Sequence, residues 1–401
     1  MRSLKLRFAR SWLVVLTALM VMGLVGGCGG DDPTPTATQP PPATPTPPPA
    51  ATATPTPAAT PTPAPTPTPS PLDELIAAAA EEGELNVLGS GDWHSAAFVS
   101  EVQDAVNAMY GIDITINTSP GPSGSQLLPT LISEYEAGRP ASTDLFTGAS
   151  ARQGLGLHGA GAAELVDWKA YAPYLTDVEI GPEGCCVVVG GTIHGIGYNK
   201  DLISEDELPR SFADFTDPKY AGQIATTPYA VGWIEASIVL GREEALQTIR
   251  VMTSNGAIAG LIGCGQEERV ATGEFAFMAF SCGQISWDRL AEKGANVAYT
   301  TLGEFVSGTA VDATVPKNSE HPNLAKLVAV FLTTDEGQDI IEKHSGTPSR
   351  FRPDTFTANE IARLEAEGAT IYYGTHENVS KYFENYTSFA FGQIVPLLRG
   401  Q

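Results

Sequence analysis

Basic residues are scarce in this sequence. Its 401 residues include 23 Lys and Arg against 46 Asp and Glu, a formal net charge of −23. Four of the basic residues, Arg2, Lys5, Arg7 and Arg10, lie at the extreme N-terminus, so the rest of the chain is more acidic still. Such a surface repels nucleic-acid phosphates and anionic lipid headgroups, which argues against a DNA-, RNA- or peripheral membrane-binding protein.

The short motifs of common enzymes are also missing. There is no G-x-S-x-G nucleophile elbow, no H-E-x-x-H zinc motif and no P-loop. Residues 154–159 (GLGLHG) satisfy G-x-G-x-x-G, but no strand leads directly into them and the motif alone is weak evidence. Apart from His94, the histidines are scattered along the chain, as is typical of solvated or core residues. We therefore predict a protein that is not an enzyme and needs no cofactor.

The N-terminus carries the pattern of an export signal. Residues 1–10 are basic and residues 12–25 (WLVVLTALMVMGLV) are almost uninterruptedly apolar, a run too short for a comfortable membrane span. Residues 25–28 (VGGC) resemble a bacterial lipobox, in which the Cys is acylated. We expect residues 1–27 to be a lipoprotein signal peptide and the lipidated Cys28 to anchor the protein to the outer face of the cytoplasmic membrane. The alternative is an ordinary signal or uncleaved anchor in which Cys28 is incidental.

A proline-rich segment follows the predicted anchor. Residues 33–71 contain 17 of the chain's 31 prolines, with Thr and Ala making up most of the remainder. Such a sequence cannot build a core and samples extended polyproline II, with about 3.1 Å per residue. We expect residues 28–71 to be a disordered linker that holds a folded module away from the membrane.

Cysteine is rare, with five residues in the whole chain. No C-x-x-C or other zinc-ligand spacing occurs, so the sequence predicts no metal site. Cys264 and Cys282 fall in consecutive loops at the same predicted strand ends, and in an exported protein this favours a disulfide between them. Cys185 and Cys186 are either a vicinal pair or two buried thiols.

Helices and strands alternate in the rest of the chain. The patterning predicts a helix over 72–82, strands over 84–89, 112–117 and 144–147, and intervening helices over 98–110 and 126–137. This order indicates an α/β fold with a parallel sheet, in which ligands bind beyond the carboxyl ends of the strands. The polar, glycine-rich stretches at those ends are residues 90–95, 119–125 and 147–149.

Several segments together resemble one protein family. They are residues 136–140 (EAGRP), 197–202 (GYNKDL), 208–224 (LPRSFADFTDPKYAGQI), 323–326 (NLAK) and 336–338 (EGQ). In this order and spacing they are similar to the solute-binding proteins of ABC importers, in the family that includes ferric-ion, thiamine and polyamine binders.

The resemblance implies a two-lobed periplasmic-binding-protein-like fold with a hinge, over residues 72–401. Lobe one is expected at about 84–190 and 305–350, and lobe two at about 196–300 and 351–401. The protein would bind a small solute as a monomer and deliver it to an ABC permease served by a separate ATPase. A secreted hydrolase and a ligand-sensing surface protein remain as alternatives.

Position relative to the strand ends selects the expected ligand-binding residues. They are Asp92, Trp93, His94, Ser123, Ser125, Thr147, Thr226, Tyr229, Trp233, Gln266, Ser281 and Trp287. Asp92 and the aromatic residues among them could form an acidic and aromatic box. The hypothesis is therefore an organic solute, with organic cations as the favoured class.

Ferric iron is the alternative ligand. The iron-binding relatives use a His in the first loop, which His94 matches, together with a Glu and an adjacent pair of Tyr. Residues 147–149 (TGA) offer no Glu and residues 281–284 (SCGQ) offer no Tyr pair. The tandem Tyr372 and Tyr373 lies outside the motif, and we expect it to pack in a helix or loop.

Overall fold

A computed structural model describes residues 68–228 and 230–400, without the side chains of residues 382–387. The predicted signal peptide, Cys28, nearly all of the proline-rich linker and Tyr229 lie outside the described residues. Within the part of the chain that is described, no helix has the length and apolarity needed to cross a bilayer.

The described residues form an α/β structure. The strands are β1 (Glu84–Gly89), β2 (Thr115–Pro120), β3 (Phe146–Ser150), β4 (Val187–His194), β5 (Ile196–Asn199), β6 (Ile224–Thr226), β7 (Ile258–Leu261), β8 (Phe277–Ala279), β9 (Val297–Thr300), β10 (Phe305–Thr314) and β11 (Thr370–Gly374). The α-helices are α1 (Pro71–Glu82), α2 (Ala96–Tyr110), α3 (Gly124–Glu136), α4 (Ala151–Gly159), α5 (Trp168–Tyr171), α6 (Trp233–Val239), α7 (Arg242–Ser254), α8 (Glu268–Ala271), α9 (Ile285–Glu292), α10 (Pro322–Leu332), α11 (Asp335–Ser345), α12 (Phe356–Ala366), α13 (His376–Phe389) and α14 (Val395–Leu398), with a π-helical turn at Ala390–Ile394.

Local signals explain the first helices. Ser70 and Asp73 form a capping box at the start of α1, and Gly83 ends it in the left-handed conformation at φ 70°. Ser95 caps α2 by accepting the N–H of Phe98, and Gly111 ends it at φ 66°. The strand predictions are less accurate, because β2 and β3 begin two or three residues later than expected.

Lobe one has a core of helices packed around two sheets. β1 and β2 pair in parallel, as the patterning predicts. β3 does not join them, because it pairs antiparallel with β10. The preceding residues Thr143 and Asp144 instead bond to β1 through their side chains, accepting the N–H groups of Leu88 and Asn86. The predicted single parallel sheet is therefore divided in two.

Lobe two is a five-stranded mixed sheet in the order β7-β6-β8-β5-β9. Its core includes Phe212 and Phe215, which pack against Trp233 and Phe280 with ring centroids 5.5–6.5 Å apart. Both Phe side chains of the 211–215 segment are buried in this core.

The chain crosses between the lobes at β4–β5 and at β9–β10. β4 pairs antiparallel with β10 in lobe one, and β5 pairs antiparallel with β9 in lobe two. A single residue, Gly195, separates β4 from β5. This arrangement places a two-chain hinge between the lobes.

The C-terminal segment does not belong wholly to lobe two, which corrects the expected assignment of residues 351–401. β11 pairs in parallel with β10, and Ile361, Leu364 and Val379 pack with the crossing strands. The last part, from Phe389 to Leu398, lies in the lobe-two core, and Tyr372 of β11 packs against that core. The segment therefore spans both lobes, because β11 pairs with β10 in lobe one whereas α14 packs in the lobe-two core.

Candidate functional site

The loop after β1 carries three predicted ligand-binding residues, Asp92, Trp93 and His94, in one 3₁₀ turn. Trp93 is buried and packs against Phe98, with ring centroids 5.6 Å apart. The His94 Nδ1 lies 3.2 Å from the Ser90 carbonyl, but burial outweighs this bond and lowers the pKa of His94. Only the Asp92 side chain, which is 44% exposed, is well open to solvent.

Trp93 and His94 share a small apolar cavity inside lobe one with Thr147. Thr147 is buried, and its Oγ1 has no hydrogen-bond partner among the described residues. The next residue, Gly148, has φ 69°, and a Cβ there would lie 2.9 Å from the Cβ of Trp93. A glycine therefore lets this strand end approach the first loop closely.

Ser123 and Ser125 are exposed at the start of α3 and are bonded locally. The Ser123 hydroxyl and backbone N–H donate to Gln126 Oε1 at 3.1 and 3.2 Å, which caps the helix. Ser125 Oγ accepts from Gln153 Nε2 at 2.9 Å. Both serines thus have structural partners and remain open to solvent.

Four of the predicted lobe-two residues are core residues, with no measurable exposure. Thr226 Oγ1 donates to the Ala279 carbonyl at 3.0 Å and accepts the Trp233 indole N–H at 2.8 Å. The Trp287 indole N–H donates to Ser281 Oγ at 3.0 Å. Each indole thus bonds to a hydroxyl group inside lobe two, so the two tryptophans do not line a box with Asp92. This corrects the aromatic-box hypothesis, while Tyr229 lies outside the described residues.

The disulfide expected from the sequence is present. Cys264 and Cys282 are bonded, with a Cα–Cα distance of 5.6 Å and a sequence separation of 18 residues. It joins the loop after β7 to the loop after β8. The exposed Gln266 lies in the first of these loops, and its Oε1 accepts the Gly263 N–H at 2.8 Å. The disulfide therefore restrains two loops at the same edge of lobe two.

An ion pair joins the lobes near these loops. Arg289 on α9 of lobe two lies with Nη1 2.9 Å from Asp92 Oδ2 of lobe one. The other terminal nitrogen of Arg289 donates to the His344 carbonyl at the end of α11. Beside this contact, Ile285 packs so closely on Gly346 that a Cβ at the glycine would lie 2.5 Å from the Ile285 Cβ. The 3₁₀ turn that carries Asp92 and helix α9 thus form a direct contact between the lobes.

Glu267 adds a buried carboxylate to this region. Glu267 lies between the bonded Cys264 and Cys282 in the sequence, and its Oε1 has no hydrogen-bond partner in the described ranges. Burial raises the pKa of Glu267, although backbone hydrogen bonds at Glu267 and Gly265 act in the opposite direction, and the charges of Glu268 and Asp92 add to the rise. The charge of Asp92 acts on Glu267, so the two carboxylates lie near each other in the region where Asp92 meets Arg289.

His194 occupies the hinge. Its Nε2 lies 3.1 Å from Thr309 Oγ1 on β10, and its Nδ1 lies 3.4 Å from the Ser281 carbonyl of lobe two. Burial lowers the pKa of His194 to about 4, with a smaller contribution from the charge of Arg152. The ring is therefore neutral at physiological pH and contacts both lobes.

The expected iron ligands are not gathered in this region. His94 faces the apolar interior of lobe one, and Tyr373 is buried on β11 against Gly191 and Gly308. The tandem tyrosines therefore lie in a strand, not in the helix or loop expected for them. Among the described residues, the one group of three or more His, Cys, Asp or Glu side chains close enough to share a metal ion is Cys186, Asp312 and His376.

The profile of the bacterial extracellular solute-binding proteins matches residues 159–372, just over half of the chain. This protein belongs to that family. A search of curated protein sequences finds no significant match.

Solved structures of solute-binding proteins share the two-lobed fold of this family member. Iron-bound HitA from Pseudomonas aeruginosa is 21% identical, with a TM-score of 0.54 over 71% of this chain and 98% of that chain. An ABC transporter substrate-binding protein from Bradyrhizobium japonicum is 16% identical, with a TM-score of 0.61 over 77% and 99%. AgtB from A. tumefaciens R10, solved with agropinic acid, is 16% identical, with a TM-score of 0.56 over 77% and 99%. The two-lobed α/β fold expected from the sequence is confirmed.

Sequence reasoning missed Glu267, Arg289 and Thr227, whose buried Oγ1 has no partner among the described residues. Each lies within two residues of a position that the sequence analysis selected. The sequence signal that could have identified Arg289 is a basic residue, in a very acidic chain, directly after the predicted ligand-binding loop that contains Trp287.

Proposed function

We propose that this solute-binding protein is the extracytoplasmic capture component of an ABC importer. It binds a small solute between its lobes and delivers it to a membrane permease that a separate ATPase drives. The observation that carries the proposal is the Asp92–Arg289 contact, because it joins the two lobes beside the strand-end loops. A ligand that replaces this contact with its own bonds to both lobes would stabilise the closed form.

The charges at the contact support an organic cation as the ligand. Asp92 and Glu267 provide two carboxylates against the single guanidinium of Arg289, and Glu267 is buried without a partner for Oε1 among the described residues. A buried acceptor atom without a partner is costly, and a ligand ammonium that donated to Glu267 Oε1 would remove that cost. The lobe-two indoles no longer support this class, so the argument depends on the two carboxylates.

Thermal-shift screening followed by calorimetric titration tests the ligand class. The panel comprises thiamine, polyamines and betaines, with small carboxylates and Fe³⁺ as competing classes. We expect a cation to raise Tm and Asp92→Asn to abolish the effect, whereas Asp288→Asn, which removes an exposed charge on α9, should preserve it. Stabilisation by anions or Fe³⁺ alone would refute the cation proposal. Turnover of ester or phosphate substrates would instead support the hydrolase alternative.

The location and attachment are part of the same proposal. Cys28 would carry the lipid, and residues 28–71 would hold the monomeric binding module near the permease. Metabolic labelling with a fatty acid should mark the wild-type chain and not Cys28→Ala, while Cys185→Ser keeps the label. A label that persists in Cys28→Ala would contradict the anchor. Loss of solute uptake on deleting the gene would separate import from sensing.

A further inference from the structure

A second group of polar side chains lies inside the protein. Cys185 and Cys186 directly precede β4, Asp312 lies on β10 and His376 begins α13. Cys186 Sγ is 3.3 Å from His376 Nε2, which is 2.9 Å from Asp312 Oδ2. Cys185 Sγ is 2.9 Å from Cys186 Sγ. Residues from three distant parts of the chain thus meet at one point.

The group is buried and incompletely bonded. Both cysteines have no measurable exposure, and Asp312 and His376 are almost fully buried. Asp312 Oδ1 and the neighbouring Thr314 Oγ1 have no partner within the described residues. Buried polar atoms are normally satisfied, because each unmet one costs free energy. The arrangement therefore suggests a ligand that the side chains share.

A catalytic triad does not fit this geometry. In a nucleophile–His–Asp triad, the nucleophile and the carboxylate bond to opposite nitrogens of the imidazole. Here both Cys186 and Asp312 approach the same atom, His376 Nε2. Three potential donors that converge toward one point are instead what a metal ion requires.

We propose that Cys186, Asp312 and His376 bind a divalent cation of the zinc class, with Cys185 adjacent to the site. Thiolate, imidazole and carboxylate are the ligands that tetrahedral Zn²⁺ takes, at about 2.0–2.3 Å, which puts neighbouring donors about 3.5 Å apart. The donor atoms of Cys186, Asp312 and His376 all lie within 4.8 Å of one another, so small side-chain rotations suffice. Ca²⁺ and Mg²⁺ prefer oxygen ligands, so a set that includes a thiolate and an imidazole favours zinc.

Two glycines leave space for this group. A Cβ at Gly154 would lie 2.6 Å from Asp312 Oδ2 and 3.2 Å from Cys186 Sγ, and one at Gly181 would overlap both cysteine sulfurs. Gly154 is the first glycine of the G-x-G-x-x-G pattern, which therefore serves packing around the cluster. On its outer side, His376 lines a surface cavity of about 560 Å³, which gives a route from solvent.

A metal at this position would have a structural role. It would join the start of β4, which leads to the hinge, to β10 and to the C-terminal helix α13. Metal bound only to the folded state adds its binding free energy to the stability of the fold. The cluster would thus fix the C-terminal segment, which spans both lobes, onto lobe one.

The test uses the full chain, extracted from membranes in detergent without a histidine tag or chelator. Elemental analysis should find one zinc per chain, and cobalt substitution should give a thiolate-to-metal charge-transfer band. Cys186→Ser and His376→Gln should lose the band and weaken binding more than about 10-fold, with a smaller loss in Cys185→Ser. His158→Gln, which changes a histidine outside the cluster, should retain the metal.

Measurements on the wild-type chain test the proposal even if those variants fail to fold. Removing zinc with a chelator should lower Tm and adding zinc back should restore it. Alkylation of the denatured, unreduced protein should label both Cys185 and Cys186. The proposal would be overturned if no metal were bound, or if Cys186→Ser and His376→Gln retained the metal. It would also be overturned if neither cysteine were labelled, because that would show a vicinal disulfide. None of these outcomes depends on the solute at the lobe contact.

Discussion

Asp92 in lobe one and Arg289 in lobe two form an ion pair across the lobes, with Arg289 Nη1 2.9 Å from Asp92 Oδ2. Each side chain extends from a short element, the 3₁₀ turn after β1 and helix α9. The pair therefore forms only when the lobes are closed. We expect its two members to have opposite effects on the affinity for a cationic ligand.

Removing either member should open the ligand-free protein. Asp92→Asn and Arg289→Gln each remove a contact between the lobes, so small-angle scattering should show a larger radius of gyration than for Asp288→Asn. Both side chains are more than a third exposed, so we expect unfolding free energies to change by less than about 1 kcal/mol. Arg289→Gln should retain or strengthen binding of a cation, whereas Asp92→Asn should abolish it. An unchanged radius in both variants would show that the pair does not control closure.

The buried indoles should affect stability and not ligand affinity. Trp287→Phe removes the N–H that donates to Ser281 and reduces the buried apolar surface, which should cost about 1–3 kcal/mol. Urea unfolding measures the stability change, and calorimetric titration should give an affinity close to that of the wild type. A large loss of affinity in a stably folded variant would restore Trp287 to the ligand site.

The disulfide should stabilise lobe two. Closing a loop of 18 residues contributes about 3 kcal/mol in the chain-entropy model. The double variant Cys264→Ser/Cys282→Ser should therefore unfold at a lower urea concentration. A disulfide-specific reductant should lower the Tm of the wild type toward that of the variant. Equal stability with and without the bond would indicate that the two loops are held by other contacts.

Acid should destabilise the protein through the hinge histidine. The pKa of His194 is lowered to about 4 in the folded state by burial, so between its ordinary pKa near 6.5 and pH 4 the unfolded chain binds the extra proton. The unfolding free energy should fall as the pH decreases through this range, by up to about 3 kcal/mol. His194→Gln should reduce this pH dependence, and His158→Gln, at a partly exposed site, should not. Parallel curves for wild type and His194→Gln would exclude the effect.

Local sequence signals predicted much of the fold. Apolar periodicity and the C-terminal Gly111 predicted the end of α2 at Tyr110, whereas its start after the cap Ser95 lies two residues before the predicted one. The placement of β3 was not predictable in the same way, because its pairing with β10 joins residues more than 150 positions apart. Propensity and periodicity describe one segment at a time and cannot specify such a partner.

The candidate site was predicted only in part, for a related reason. Strand-end position selected the loop that carries Asp92, but it could not separate a residue at the contact between the lobes from one that points into the core. Trp233 and Trp287 follow lobe-two strands as a ligand-binding residue would, yet their N–H groups bond to Thr226 and Ser281 inside the lobe.

The sequence by itself determined the acidic surface, the predicted export signal and linker, the α/β alternation and the cysteine pair most suited to a disulfide. These properties depend on composition and on contacts between residues close in the chain. Only the tertiary structure decided that Asp92 meets Arg289 and that Cys186, Asp312 and His376 converge, because those residues are separated by 64 to 197 positions. A zinc-ligand spacing is absent from the sequence because the fold, and not a local motif, brings these side chains together.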